Sequence, residues 1–299
     1  MNPVTHDAPP PEMGWPERVP TGPQATPPGD PALLQLDAAV TRLPGHAFGP
    51  FSLRVQRGER IAVLGPSGAG KSTLLKLLSG ERAAHAGSVR LDGQALALAQ
   101  HRPQDLARRR AVLPQSHAVA FGMPVELVVA LGRIAREPDA GQASIVALAL
   151  DAACAAHLVG RRFDTLSGGE QARVQLARVL AQLWDVHGGL LLVDEPLAAL
   201  DPGLQFELMD ALQTFAQQRR HALVAVLHDL NQALAGFDRL WLVQAGQLLA
   251  DLPAGAAAVP ALERLFGIRL RCVDDGAGRI AVLARRASLP GLAAQKVAA

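Results

Sequence analysis

The stretch that decides the fold is Gly65-Pro66-Ser67-Gly68-Ala69-Gly70-Lys71-Ser72-Thr73. It has the spacing G-x-x-x-x-G-K-[S/T], and its flanks give that spacing meaning. A short apolar run, Ile61-Ala62-Val63-Leu64, enters it, and a helical pattern, Leu74-Leu75-Lys76-Leu77-Leu78, leaves it. Glycines let successive backbone N–H groups turn inward around an anion with no Cβ in the way. The helix that follows adds unpaired N–H groups and the positive end of its dipole. Lys71 supplies a point charge for the β- and γ-phosphates of a nucleotide, and Ser72 a hydroxyl for Mg2+. Gly65, Pro66, Ser67, Gly68, Ala69, Gly70, Lys71, Ser72 and Thr73 are thus the expected polyphosphate cradle.

Further along, Leu190-Leu191-Leu192-Val193-Asp194-Glu195-Pro196 reads as a buried strand that ends in two carboxylates. Ligands of parallel sheets sit at the carboxyl ends of strands. Asp194 is therefore placed to hold Mg2+, and Glu195 to orient or deprotonate an attacking water. Magnesium takes one or two carboxylates with phosphate oxygens and water, which matches this supply.

Around these two segments, strand patterns at 33–38, 51–55, 61–64, 88–91, 111–113, 190–193, 223–227 and 240–243 alternate with helical ones at 169–184 and 205–218. The alternation predicts an α/β core with a parallel sheet. The first strands predict an added antiparallel layer, with a hairpin signal at Asp92-Gly93. An alanine-rich helical segment is inserted over about 116–185. Residues 251–299 are a less regular end, whose apolar positions Leu262, Leu265, Phe266, Ile268 and Leu270 predict packing.

The composition of the 299 residues is 49% hydrophobic and 19% charged, with a net charge of +2. That is too apolar for a disordered chain, and it gives no general pull on nucleic acid, so no nucleic-acid partner is expected. Two cysteines make no disulfide framework and fit a reducing cytosol. No apolar run reaches the roughly 20 residues of a membrane span, and the start lacks the apolar stretch of a signal peptide. The chain reads as a soluble intracellular protein. Ten of the 22 prolines fall before residue 32, so 1–31 are expected to form a disordered tail.

A third segment narrows the family. Leu166-Ser167-Gly168-Gly169-Glu170-Gln171 has the spacing of a helix capping box, and it lies between the phosphate loop and the Asp-Glu strand. In that position it resembles the signature of ATP-binding cassette (ABC) ATPases, and the resemblance covers about residues 32–250. It implies a P-loop NTPase core with a parallel sheet, an N-terminal antiparallel β subdomain and an inserted helical signature subdomain. It implies ATP as substrate with Mg2+, and a homodimer in which Ser167, Gly168 and Gly169 of one copy close over the γ-phosphate held by the other. The remaining motifs follow in order. Gln115, in Leu113-Pro114-Gln115, matches the glutamine that contacts Mg2+ and the attacking water. Asp201, in Ala199-Leu200-Asp201, matches the aspartate loop at the dimer interface. His228, in Leu227-His228-Asp229-Leu230-Asn231, matches the histidine that bonds the γ-phosphate.

A single cassette without spans implies a separate transporter subunit on the cytoplasmic face of the inner membrane. Its implied partners are two membrane permease subunits and a periplasmic substrate-binding protein. Leu131-Gly132-Arg133, the Leu180–Trp184 run and Leu262-Glu263-Arg264-Leu265-Phe266-Gly267-Ile268 are similar to importers of iron chelates, haem and cobalamin. Import of haem or an iron siderophore is the leading expectation. Cobalamin or another cargo, a soluble non-transport ABC ATPase and a non-hydrolysing scaffold are the alternatives. The family usually stacks adenine on an aromatic residue, most often tyrosine, in the loop between the first two strands. This chain has no tyrosine. Arg42, Leu43 or His46, in a loop at about 41–48, is expected to cover the base, with Phe48 in the core.

Overall fold

The computed structural model describes residues 31–95, 102–114, 122–136, 138–195, 200–274 and 280–286. The expected tail, except Pro31, lies outside the described residues, as does Gln115.

Two sheets form the body. The first is antiparallel and holds β1 (Leu34–Leu43), β2 (His46–Val55), β4 (Ala86–Leu91) and β5 (Gln94–Ala95) in the order β2-β1-β4-β5. Asp92 and Gly93 both have positive φ, the conformation that a two-residue hairpin turn between β4 and β5 requires. The second sheet has the order β10-β9-β3-β8-β7-β6. Its parallel strands are β3 (Arg60–Leu64), β6 (Arg110–Leu113), β7 (Leu190–Asp194), β8 (Ala222–Val226) and β9 (Arg239–Gln244), and β10 (Gln247–Pro253) closes one edge antiparallel to β9. Strand β10 carries the core sheet to Pro253.

Both faces of the parallel sheet are covered, so its strands are apolar throughout rather than alternating with polar residues. Ile61, Val63, Leu190 and Leu192 point to one side, where they meet α1 (Lys71–Leu78) and the first sheet. Ala62, Leu64, Leu191 and Val193 point to the other, against α5 (Gly168–Gln182) and α6 (Pro202–Gln218). Each of the valine, leucine and isoleucine side chains contributes about 1.5–3 kcal/mol by leaving water.

The short α2 (Pro103–Ala107) precedes β6, and the inserted segment contains α3 (Val125–Ala130) and α4 (Gln142–Ala152) packed on α5. Arg133 pins it. This guanidinium is buried, donates to both carboxylate oxygens of Asp185 at 2.9 Å, to Asp139 at 2.7 Å and to the Ala181 carbonyl at 3.1 Å. Every face of a buried charge is thereby satisfied, and removal of one partner would leave it uncompensated. The last elements are α7 (Leu230–Gly236), α8 (Val259–Phe266) and a hairpin of β11 (Ile268–Asp274) and β12 (Ile280–Arg286). Leu262 and Leu265 are buried, and Phe266 and Leu270 pack against the core, as their apolar pattern predicts.

Candidate functional site

Sheet order assembles the site. Strands β3, β8 and β7 are neighbours and parallel, so their carboxyl ends lie on one edge. β3 delivers Gly65, β8 delivers His228 two residues beyond its end, and β7 delivers Asp194 and Glu195.

The phosphate loop is held from outside. A Cβ on Gly65 would lie 2.1 Å from the Val243 carbonyl oxygen, so only glycine lets the loop leave β3 this close to β9. The Gly246 N–H donates to the Ala69 carbonyl at 2.9 Å, which braces the loop from the β9–β10 turn. Gly70, at φ 98°, caps α1 without any side-chain hydrogen bond. The first N–H groups of a helix have no intrahelical partners, so α1 keeps its anion-binding end in reserve. Lys71 is nearly buried. Its Nζ donates to the carbonyls of Gly65 at 2.9 Å and Pro66 at 3.2 Å and lies 3.7 Å from Glu195 Oε1.

Ser72 Oγ donates to Asp194 Oδ1 at 3.0 Å. Burial pushes the Asp194 carboxyl above its usual range, with the Ser72 hydroxyl opposing. A hydroxyl and a desolvated carboxylate side by side make a hard oxygen donor pair, the chemistry that Mg2+ takes, and a cation there would restore the ionised form. Glu195 has φ 45°, unusual for a residue with a Cβ, and such backbone costs on the order of 1–3 kcal/mol. Glu195 Oε1 sits 2.7 Å from His228 Nε2.

Ser67, Gly68, Ala69, Gly70, Lys71, Ser72, Thr73, Glu195 and His228 line one cavity of about 350 Å³. Phe48 lines it too. The expected loop at 41–48 is instead two strands with a turn at Pro44 and Gly45, because β1 runs to Leu43 and β2 starts at His46. Arg42, Leu43 and His46 are outside the cavity lining, and the Phe48 ring packs on Gly70 and Gly246 at its wall. Phe51, Leu53 and Val55 alternate inward along β2, and a bulge in the pairing with β1 between Phe51 and Phe48 resets that alternation, so a period-2 reading of the sequence does not bring Phe48 to this wall.

Ser167, Gly168 and Gly169 lie apart from this lining. They start α5 with a complete capping box. Ser167 Oγ accepts from the Glu170 N–H at 3.3 Å, and Glu170 Oε2 accepts from the Ser167 N–H at 2.7 Å. Asp201 caps α6 by accepting from the Leu204 N–H at 3.0 Å.

The family model described as ABC transporter matches residues 48–198. The chain belongs to the ABC transporter ATP-binding family. The hemin import ATP-binding protein HmuV of Pseudomonas fluorescens (strain Pf0-1) is 46% identical over 222 residues, spanning 73% of this chain and 86% of the relative. The protein of the same name from Nocardia farcinica (strain IFM 10152) is 49% identical over 208 residues, 68% of this chain and 69% of the relative. A solved ABC transporter in an inward-facing conformation shares the fold, with a TM-score of 0.72, 23% identity, and 85% and 98% of the two chains covered. This ABC cassette has the P-loop NTPase fold, binds ATP, and couples ATP hydrolysis to transport. Among its described residues no helix is long and apolar enough to cross a membrane.

Proposed function

We propose that this cassette powers import of haem, as one of two copies bound to two membrane permease subunits fed by a periplasmic substrate-binding protein. The cargo reading rests on kinship, since relatives at 46–49% identity carry the name hemin import ATP-binding protein. The hydrolytic reading rests on one observation: Glu195 Oε1 stands between Lys71 Nζ and His228 Nε2 at the mouth of the phosphate loop.

Lys71 and the α1 N-terminus bind the phosphates, and Ser72 and Asp194 would hold Mg2+; Gln115, which the family resemblance offers as a further ligand, lies outside the described residues. When bound, the ion neutralises charge on the phosphate oxygens and fixes the in-line geometry. Glu195 takes the proton of the attacking water on its carboxylate, and His228 holds that carboxylate and the γ-phosphate in place. Ser167, Gly168 and Gly169 complete the site of the other copy, with Asp201 at the dimer interface, which fits their position away from their own chain's cavity. Leu127, Leu131 and Ile134 are exposed on the inserted segment, apolar side chains suited to an apolar segment of a permease. Docking there places the cassette peripherally, on the cytoplasmic face of the inner membrane.

Glu195→Gln tests the chemistry. Nucleotide affinity stays, and turnover falls by about a hundredfold or more, the usual weight of a general base. Wild-type turnover would overturn the assignment. Cells lacking the chain should lose haem uptake and keep siderophore and cobalamin uptake, and the reverse pattern would move the cargo.

A further inference from the structure

The hairpin β11–β12 stands outside both main sheets, and each of its outer edges is met by one side chain. On one edge, Glu263 Oε1 of α8 accepts from the Leu270 N–H at 2.7 Å. On the other, Asn231 of α7 spends its whole amide on one residue. Its Oδ1 accepts from the Val282 N–H at 2.6 Å, and its Nδ2 donates to the Val282 carbonyl at 3.2 Å. An asparagine amide used this way supplies what a neighbouring strand would, a donor and an acceptor together. It fixes α7 against β12 in one register. Val282 is buried in the main core, so the anchor itself is held.

Asn231 lies three residues after His228. Between them Asp229 caps α7, its Oδ1 accepting from the N–H groups of Asn231 at 2.7 Å and Gln232 at 3.0 Å. The segment that carries His228 is therefore fixed at one end by β8, in the middle of the sheet, and at the other by the first turn of α7. A helix of seven residues does not hold itself, and its orientation comes from tertiary contacts. On the β8 side of His228 the Leu227 N–H donates to the Val63 carbonyl at 3.2 Å, and on the α7 side Asn231 ties the helix to the hairpin with its pair of directional hydrogen bonds.

We propose that Asn231 is a positioning residue for His228, and that the C-terminal hairpin thereby belongs to the hydrolytic apparatus. The proposal rests on the role given to His228 above. The hairpin clamps α7, α7 sets the imidazole, and the imidazole sets the Glu195 carboxylate 2.7 Å away.

The test uses the full chain. Asn231→Ala should lower kcat about tenfold, the positioning worth of one or two hydrogen bonds, with KM for ATP nearly unchanged. Asn231→Asp keeps the acceptor, loses the donor, and falls between. Glu263→Ala removes a bond to β11, the strand opposite the one Asn231 holds, and because Val282 of β12 is anchored in the core it should leave kcat near wild type. The double variant His228→Ala/Asn231→Ala should be no slower than His228→Ala alone, because the second change acts only through the first. The 15N shifts of the His228 imidazole should move in Asn231→Ala and stay in Glu263→Ala. If His228→Ala loses turnover while Asn231→Ala keeps it, or if the two losses multiply, this proposal fails and the site reading stands. Wild-type turnover in His228→Ala would overturn the site reading itself, and this proposal with it.

Discussion

Two helix starts in this molecule are built from the same backbone physics and finished in opposite ways. Helix α1 begins at a left-handed glycine with no side-chain cap, over a cavity that contains a nearly buried lysine. Helix α5 begins at Ser167 with both halves of a capping box closed, on an exposed surface. Each presents the positive end of a helix dipole. The first leaves its N–H groups to an anion and gives up the stability of a cap, typically about 1 kcal/mol. The second satisfies two of its orphan N–H groups, those of Ser167 and Glu170, with its own side chains. The difference separates a helix start left open over a cavity from one that its own side chains have partly closed.

The largest effect that would break this comparison is at Lys71. Its Nζ is tied to two loop carbonyls and faces Glu195. Lys71→Ala removes a charge-assisted contact to phosphate and takes the lysine donor from the Gly65 carbonyl, while the Pro66 carbonyl keeps the Ala69 N–H at 3.1 Å. Nucleotide affinity should fall roughly ten- to a hundredfold, measured by nucleotide titration. Hydrogen exchange at the Glu170 N–H should not change, since the capping box of α5 uses no residue of the loop. Protection lost at both sites would mean that the two helix starts are one cooperative unit.

Ser167→Ala sharpens the same contrast at the second start. It removes the acceptor of the Glu170 N–H and should cost about 1 kcal/mol of stability, read as a lowered denaturation midpoint. Affinity of the isolated cassette for ATP should stay, because Ser167 is outside the cavity lining of its own chain. A large loss of ATP affinity in the monomer would place the serine in the chain's own site.

Much of this was legible in the sequence because it is local. The phosphate loop needs only a strand, nine residues and a helix, and Leu190-Leu191-Leu192-Val193 is apolar whichever way it faces. The capping box at Ser167 and Glu170 is a four-residue pattern that also forms in the structure. What was hidden depends on register or on distance along the chain. Phe48 reaches the cavity wall only because the first hairpin turns at two residues, and a loop of eight would have freed Arg42 and His46 to cover the base. Arg133 meets Asp185 across 52 residues, and Asn231 meets Val282 across 51. Neither pair has a spacing that announces it. The three residues at the cavity mouth, Lys71, Glu195 and His228, were each readable alone, but their meeting is a property of strand order.

The smallest effect is a difference between two carboxylates, one from each region, that their surroundings move in opposite directions. Burial raises the Asp194 carboxyl from its ordinary 3.8. The Ser167 backbone N–H, then its hydroxyl and Arg161, lower Glu170 from 4.5 to about 2. A carboxylate with a lowered value adds stability that is complete above 4.5 and drains away as the pH falls toward 2. A carboxyl with a raised value does the reverse, since the folded state takes up its proton before the unfolded one, and acidification through that interval favours the fold. In a carboxyl NMR titration Asp194 should therefore protonate first, above 3.8, and Glu170 last, near 2. In the metal-free chain the carboxyl beside Ser72 therefore loses its charge while the α5 start is still intact. If Glu170 titrated ahead of Asp194, the capping box would be open in solution, and the two helix starts would not differ in the way the comparison requires.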